Sequence, residues 1–293
     1  MGADPLNTEI ARVANLDDPD SISLKPVHGG DCNEAYRIEK TSFFVKVNRS
    51  LGDDLFPAEA DGLKALGSVS EAPRVPRVIG TGSADGAAFI VMEYIPEGRQ
   101  NSRTQAILGE QLAKLHINSQ ERRYGFERDN YIGLTRQVNT WEDSWKTFFT
   151  RRRLAPMVES ASRKGLLGRR DLGSCEELLE GASRLLREPE HPALLHGDLW
   201  GGNYLTSREG EPVLIDPAVY YGDREADLAM TQLFGGFSGD FYDAYRYHYP
   251  LDPGYEKRRD LYNLYHMLNH LNMFGSSYRG SVMRLVEHCL SML

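Results

Sequence analysis

The sequence predicts an α+β fold of two lobes, in which a small β-rich lobe is followed by a larger α-helical lobe. Short alternating apolar runs fill most of the first hundred residues, whereas apolar residues beyond Gly98 recur mainly at helical spacing. The chain has 293 residues, of which 41% are hydrophobic and 26% are charged. This length and composition suit one large domain or two lobes with a sizeable core. Periodicity alone leaves other arrangements of these elements open.

Three strands are predicted near the N-terminus. Ser21–Val27 is a short alternating run that ends at the turn residues His28–Asp31. The runs Glu34–Ile38 and Ser42–Val47 are separated by Glu39–Thr41, a spacing that is typical of a β-hairpin. These three segments begin the predicted sheet of the small lobe.

One helix and two further strands complete the small lobe. Apolar residues at helical spacing predict a helix over Pro57–Leu66. Strands are predicted near Arg77–Gly80 and over Ala87–Glu93, joined by a glycine-rich turn at Gly82–Gly86. The turn residues Ile95–Gly98 interrupt the pattern, so we predict a small lobe of residues 1–95 and a large lobe of residues 96–293.

Helical periodicity dominates the rest of the chain. A β-rich segment, Ala193–Asp216, interrupts it and contains a hairpin turn at Ser207–Gly210. Helices are predicted over residues 104–118, 140–161, 174–187 and 255–274. The large lobe is therefore expected to be a helical body that carries one short β-rich segment.

Composition argues against several classes of protein. The longest apolar run, Ala87–Met92, is far too short to span a bilayer, and the N-terminus lacks the basic and apolar regions of a secretory signal. Three widely spaced cysteines suit a reducing compartment. The net charge of −8 disfavours nucleic acid as a partner. We expect a cytoplasmic protein with no membrane or nucleic-acid partner, in which the basic run Arg151–Arg153 is an exposed helix face.

One segment of the large lobe has the residues that phosphoryl transfer from ATP requires. A hydroxyl acceptor needs a carboxylate that takes its proton, and Mg²⁺ prefers oxygen ligands. Asp198 and Asn203 lie five residues apart on one predicted loop, and Asp216 follows the next apolar strand. This is the D-x4-N…D layout of protein kinases. A lone H-G-D string is more often a capped turn, but Asn203 and Asp216 in register argue against that interpretation.

The small lobe offers matching residues for a nucleotide. Lys46 ends an apolar strand, where it can bind phosphate oxygens, and Glu59 on the following helix is a candidate ion-pair partner. Each alone is more often a surface charge, but in this order they match the Lys–Glu pair of a kinase small lobe. Gly29 and Gly30 can form a tight turn over the phosphates, although no G-x-G-x-x-G string is present.

Longer strings carry a more specific resemblance. His196–Asn203 reads HGDLWGGN, and Leu214–Met230 reads LIDPAVYYGDREADLAM. Further matching segments are Leu112–His116, Gln137–Trp141 and Leu261–His270. On these residues the chain resembles the fructosamine (ketosamine) kinase family, within the protein-kinase-like group that also holds aminoglycoside and choline kinases. The resemblance runs from about residue 20 to the end of the chain.

The resemblance implies a bilobal protein-kinase-like fold and a role for each matching residue. It implies that Asp198 is the catalytic base. It also implies that Asn203 and Asp216 ligate Mg²⁺, and that Lys46 contacts the α- and β-phosphates of ATP with support from Glu59. ATP and Mg²⁺ are accordingly the expected cofactors.

The same resemblance implies a nucleotide hinge and two supporting residues. The hinge is expected at four residues that look like the family's hinge, namely Met92, Glu93, Tyr94 and Ile95. Adenine would bond the carbonyl of residue 93 and the N–H of residue 95. By similarity, Asp227 at the start of a helix supports the catalytic loop, together with His196 on that loop.

The chain departs from protein kinases at three points. Gly197 replaces the arginine of the kinase catalytic loop, DPA at residues 216–218 replaces DFG, and no APE segment is present. These departures argue against an activation-loop switch and favour a constitutively formed kinase for small molecules.

The resemblance implies an ATP-dependent kinase that phosphorylates the sugar 3-hydroxyl of ketosamines, which leads to deglycation. The ketosamines are either small molecules or glycated lysines of proteins, and the preference among fructosamines, ribulosamines and erythrulosamines is open. Two alternatives remain at this point. One is a kinase for another hydroxyl compound, such as an aminoglycoside or choline, and the other is a non-catalytic ATP-binding module.

Four further residues have open interpretations. Trp200 faces either the substrate or the packed interior beneath its loop. Cys32 follows the predicted phosphate turn, and some members of the family carry a cysteine there that forms an intersubunit disulfide. Reversible oxidation of Cys32 and a homodimer are therefore expectations. His266 and His270 have the i, i+4 spacing of a zinc site, but no third ligand is apparent.

Overall fold

A five-stranded antiparallel sheet occupies the N-terminal third of the chain. Its strands stand in the order β1-β2-β3-β5-β4. They are β1 Leu24–Pro26, β2 Glu34–Ile38, β3 Phe43–Asn48, β4 Val78–Ala84 and β5 Ala87–Glu93. The computed structural model describes residues 4–16, 22–27, 33–119 and 121–293. Gly29, Gly30 and Cys32 lie outside the described residues.

Strands β3 and β5 lie in the interior of the sheet, and helices cover both faces of the sheet. Helix α1, Pro5–Ala14, packs on the face that carries Val45, Val47, Phe89 and Val91. Helix α2, Leu55–Gly67, packs on the opposite face against Ala88, Ile90 and Met92. Burial on both faces explains why β5 is continuously apolar as far as Met92 instead of alternating. It also places Lys46 on the face that is covered by α2.

Helix α1 is absent from the predicted elements of the small lobe, where only one helix was expected. The Asp4 side chain caps it by accepting a 3.0 Å hydrogen bond from the Leu6 N–H, and Pro5 occupies its first turn. Asn15 ends the helix in the left-handed conformation. The described part of the first 95 residues therefore holds two helices, one on each face of the sheet.

The turn between β4 and β5 is shorter than the sequence pattern predicts. Strand β4 continues to Ala84, so Gly82 pairs with Phe89 inside the ladder. Only Asp85 and Gly86 turn, and both have positive φ, 51° and 71°. Positive φ at both central residues is the hallmark of a type I′ hairpin. Gly82 is required in the strand because a Cβ there would overlap the Phe89 ring.

The rest of the chain is mainly helical, as predicted. Its helices are α3 Ser102–Asn118, α4 Trp145–Phe148, α5 Ala155–Arg163, α6 Arg169–Leu185, α7 Glu225–Leu233, α8 Gly239–His248, α9 Tyr255–Phe274 and α10 Arg279–Leu290. The bounds of α9 match the predicted 255–274, and this helix is buried along most of its length. Within the described residues, no helix is both long and apolar enough to cross a membrane.

Three short antiparallel strand pairs interrupt the helices in the described part of the chain. They are β6 Asn130–Ile132 with β7 Thr135–Gln137, β8 Ala193–Leu195 with β11 Tyr220–Gly222, and β9 Tyr204–Thr206 with β10 Pro212–Leu214. The β8–β11 and β9–β10 pairs lie within and just after the predicted β-rich segment. Together they hold the loop of residues 196–203 and the segment of residues 215–219 side by side.

The predicted helix over 140–161 is wrong in its first part. The helix begins at Trp145 and widens to a π-helical turn at Phe149–Leu154 before α5. Arg153 in this turn is fully buried, not part of an exposed basic face. Its guanidinium lies over the ring of Tyr220 at 4.1 Å and donates to Asn139 Oδ1 at 2.6 Å. Stacking and hydrogen bonding stabilise the Arg153 guanidinium in the interior, although the sequence predicted that it would be solvated.

Candidate active site

A buried carboxylate anchors the loop between β8 and β9. Asp227, in the first turn of α7, accepts hydrogen bonds from the N–H groups of His196 at 2.7 Å and Gly197 at 2.9 Å. The ring of His116 lies 3.3 Å from the same carboxylate. Burial opposes ionisation, but these donors outweigh it and lower the pKa of Asp227. Asp227 therefore supports the loop as a carboxylate.

The loop packs tightly against the segment that follows β10. His196 Nε2 lies 2.9 Å from the Ile215 carbonyl oxygen, and the His196 carbonyl accepts from the Ala218 N–H at 2.8 Å. Gly197 has φ +83°, and a Cβ on it would overlap the carbonyl oxygen of Ala218. Only glycine satisfies both conditions, which is a structural reason for the absence of an arginine there.

Replacing Asp227 by Ala is expected to lower the free energy of unfolding by about 2–5 kcal/mol, since two buried N–H groups lose their acceptor. Chemical denaturation measures this loss. Asp243→Ala is the control, because the Asp243 side chain is 81% exposed in helix α8. Equal stability of the two variants would contradict the anchoring role.

Asp198 and Asn203 face one another across the loop. Asn203 Nδ2 donates to the Asp198 carbonyl at 2.8 Å and to Asp198 Oδ2 at 3.1 Å. The amide nitrogen is thus used within the loop, and Asn203 Oδ1 is the atom left to face a cation. Burial, and next the charge of Asp216, raise the pKa of Asp198 to about 7. A carboxylate with this pKa has the basicity of a general base that works near neutral pH.

Asp216 stands at a bend in the chain directly beside the loop. Its φ of +56° is unusual for a residue other than glycine, and Asp and Asn adopt it most easily. The side chain is 37% exposed, whereas its partner Lys46 is buried. Lys46 Nζ donates a very short hydrogen bond to Asp216 Oδ1. This bond joins the sheet of the first lobe to the loop region of the second.

Lys46 also binds Glu59, as the sequence predicts. Its Nζ donates to Glu59 Oε1 at 2.7 Å, from β3 to α2 on the covered face of the sheet. Burial disfavours the ammonium, but Asp216 and Glu59 together raise the pKa of Lys46 above its ordinary value. The lysine is therefore a fixed positive charge.

The structure brings five of the predicted site residues together. They are Lys46, Glu59, Asp198, Asn203 and Asp216. The Asp216 carboxylate and the Asn203 amide oxygen are hard oxygen donors, which suit Mg²⁺. The residues present therefore fit the metal that the family resemblance implies.

The four residues of the expected hinge lie at the end of β5 and just after it. The Glu93 N–H donates to the Arg77 carbonyl at 2.8 Å, and its carboxylate accepts a short hydrogen bond from Arg74. The Tyr94 N–H donates to Ser42, and the guanidinium of Arg37 stacks on the Tyr94 ring. Met92 and Ile95 are buried.

Trp200 lies on the loop with 39% of its surface exposed. Its ring rests on Gly202, where any Cβ would overlap the indole. The edge of Phe234 lies against it, with ring centroids 6.3 Å apart. Phe234 in turn contacts His270, and His270 contacts Phe274. A partly exposed aromatic surface therefore runs from the loop to the end of α9.

His266 is the residue that sequence reasoning left out of the site. It lies on α9, is buried, and places Nδ1 3.8 Å from Asp198 Oδ1. Among the described residues, no group of three or more His, Cys, Asp or Glu is arranged to hold a metal. The zinc interpretation of His266 and His270 therefore gains no support. The segment Leu261–His270 matched the family string, which was the available indication of a role.

This fold and this group of residues define a kinase-like phosphotransferase. The same fold occurs in a crystal structure of the aminoglycoside phosphotransferase APH(4)-Ia, with a TM-score of 0.62, 15% identity and coverage of 97% of this chain and 98% of that chain. A choline/ethanolamine kinase family protein from Mesorhizobium loti superposes with a TM-score of 0.59 at 17% identity, over 97% of this chain and 94% of that chain. At these identities the likeness concerns the fold alone.

The chain belongs to the fructosamine kinase family, whose model matches residues 8–292. It is 41% identical to a probable ketoamine kinase of Synechocystis, over 91% of this chain and 90% of the relative. It is 40% identical to a chloroplastic protein-ribulosamine 3-kinase of Oryza sativa subsp. japonica, over 100% of this chain and 85% of the relative. A Thermobifida fusca structure assigned as a fructosamine-3-kinase superposes with a TM-score of 0.84 at 33% identity, over 97% and 99% of the two chains. The protein is therefore a kinase, which uses ATP.

Proposed function

We propose that this kinase transfers the γ-phosphoryl group of ATP to the sugar 3-hydroxyl of ketosamines. The observation that carries the proposal is the meeting of Asp198, Asn203, Asp216 and Lys46 at one place in a chain that belongs to the fructosamine kinase family. The family contains relatives named for ketoamines and protein-ribulosamines, so the acceptor class is taken from them.

Asp198 acts as the base for the acceptor hydroxyl. Its carboxylate is held by Asn203 and by a loop that Asp227 fixes through two backbone N–H groups. A loop held in this way keeps the carboxylate in place before the acceptor arrives, so little reorganisation is needed during the reaction. The hydroxyl proton passes to Asp198 as the oxygen attacks the γ-phosphorus and ADP leaves.

Asn203 Oδ1 and the Asp216 carboxylate would hold Mg²⁺, which neutralises phosphate charge when it is bound. Lys46 supplies a second, permanent positive charge for the phosphates, kept in position by Glu59. The short bond between Lys46 and Asp216 shows that both side chains already reach the same point of the cleft. In the free protein, each therefore neutralises the other until nucleotide binds.

The nucleotide base and the acceptor take opposite sides of this centre. Adenine binds at the hinge Met92–Ile95, and residues 96–293 form the lobe that holds the acceptor. Trp200 offers the acceptor a flat face with an N–H group, because it is partly exposed on the loop of Asp198. The 3-phosphate makes the ketosamine unstable, so it loses phosphate and frees the amine, which is a deglycation.

A panel assay tests this function. ADP formation is measured with fructosamine, ribulosamine and erythrulosamine derivatives of a simple amine, with a glycated protein, with an aminoglycoside and with choline. We expect ADP formation with at least one ketosamine, together with later release of inorganic phosphate. Turnover of the aminoglycoside or choline alone would assign a different acceptor, and nucleotide binding without any turnover would indicate a binding module.

A further inference from the structure

His266 carries a buried ring nitrogen that has no partner in the described part of the chain. Its Nδ1 makes no hydrogen bond, although the residue is only 3% exposed. Asp198 Oδ1 lies 3.8 Å away, which is too far for a hydrogen bond. The nitrogen therefore faces the carboxylate across a gap.

Neighbouring histidines differ in this respect. Both ring nitrogens of His116 are used, one by Tyr245 and the other by Asp227. His196 Nε2 contacts the Ile215 carbonyl, and its Nδ1 accepts from the Asp198 N–H. Eight other buried side-chain atoms of the described residues also lack a partner, but His266 Nδ1 lies beside the proposed base. This position favours a partner that arrives with the substrate.

The charge state of His266 also suits an uncharged partner such as a hydroxyl group. Burial, assisted by His270 and Arg153, lowers the pKa of His266 to about 3, whereas Asp227 opposes this shift. The ring is therefore a neutral imidazole, and it forms no ion pair with Asp198. A neutral imidazole offers either a donor or an acceptor at Nδ1, according to its tautomer.

We propose that His266 Nδ1 is the second protein atom that contacts the acceptor hydroxyl, opposite Asp198 Oδ1. This inference rests on the proposed function. Two atoms 3.8 Å apart can both lie about 2.8 Å from one oxygen placed between them. Nδ1–H donates to the hydroxyl oxygen, and the hydroxyl donates its proton to Asp198. Together, His266 Nδ1–H and the Asp198 carboxylate select a group that both donates and accepts a hydrogen bond, and they orient its oxygen for attack on the phosphorus.

A binding comparison tests the contact directly. A ketosamine and its 3-deoxy analogue are titrated by calorimetry, without nucleotide, into the wild type, His266→Leu and His266→Asn. The wild type should bind the hydroxyl compound more tightly than the deoxy compound. His266→Leu should reduce that ratio roughly tenfold, the usual scale for one hydrogen bond to a buried group. His266→Asn keeps a polar atom near the position of Nδ1, so its ratio should stay within about threefold of the wild type.

The matched control is His288→Leu, a histidine of helix α10 whose side chain is 54% exposed. It should leave the ratio unchanged. A steady-state readout separates the contact from simple loss of packing: His266→Leu should reduce kcat/KM for the ketosamine and leave the KM for ATP unchanged. Damage to the fold would change the kinetic constants for both the ketosamine and ATP.

The outcomes are distinct. If the wild type binds both compounds equally, or if His266→Leu keeps the wild-type ratio, the contact is overturned, even when ketosamine turnover is normal. If the wild type turns over no ketosamine at all, the proposed function fails and the contact with this acceptor fails with it. The comparison of the two compounds on the wild type applies even when a His266 variant does not fold.

Discussion

Asp198→Asn is expected to lower kcat by about 10²–10⁴ while ATP affinity stays close to that of the wild type. The amide keeps the shape of the side chain, and its oxygen can still accept from Asn203 Nδ2. What the variant loses is the lone pair that takes the proton and one negative charge. Because the proton transfer occurs only in the transition state, kcat and kcat/KM should fall together.

Stability separates this effect from damage to the loop. The substitution removes a buried charge that lies close to Asp216 and keeps the hydrogen bond to Asn203, so Tm should not fall. Asp243→Asn, the same change at an exposed position of α8, serves as the control with normal turnover. Near-normal kcat in Asp198→Asn would remove Asp198 from the role of base.

Local spacing explains which parts of the site were predictable. Asp198 and Asn203 share one loop, and Asp216 follows one short hairpin later, so their order in sequence nearly determines that they meet. Lys46 and Glu59 meet because β3 and α2 are consecutive elements of one lobe. In each case the chain between the residues is short or regular.

His266 was not predictable in the same way. It lies on α9, 68 residues after Asp198 in the sequence, and this spacing does not predict that the two residues meet. Its i, i+4 partner His270 suggested a metal site, but His270 Nδ1 contacts the carbonyl oxygen of residue 266 and its ring contacts Phe234. Tertiary packing, not periodicity, decides which histidine faces the cleft.

The fold likewise has parts that the sequence pattern predicts and parts that depend on tertiary packing. The bounds of α9 and the approximate extents of β3 and β5 follow from apolar pattern alone. Helix α1 was missed, although a central strand that is apolar on both faces requires a cover on each side. The prediction that Arg153 is exposed was wrong because three consecutive arginines give no sign of the π-helical turn in which they lie. In that turn the Arg153 side chain points into the interior.

The second large effect is expected for Asp216→Asn, which should abolish Mg²⁺-dependent turnover while the chain stays folded. Asparagine adopts positive φ readily, so the backbone at +56° should be kept, whereas alanine would add strain there. The variant loses the carboxylate charge that would hold the metal and that pairs with Lys46, although the amide oxygen can still accept from Lys46 Nζ. Phosphate charge is then poorly neutralised during transfer.

Asp85→Asn is a closely matched control for this variant. Asp85 also has positive φ, 51°, but it lies exposed in the hairpin between β4 and β5, so turnover and its Mg²⁺ dependence should be normal. ADP formation is measured across a Mg²⁺ titration for both variants and the wild type, with Tm as the check on folding. If Asp216→Asn shows the wild-type Mg²⁺ dependence and kcat, Asp216 is not a metal ligand. Its bond to Lys46 would then serve only to join the two lobes.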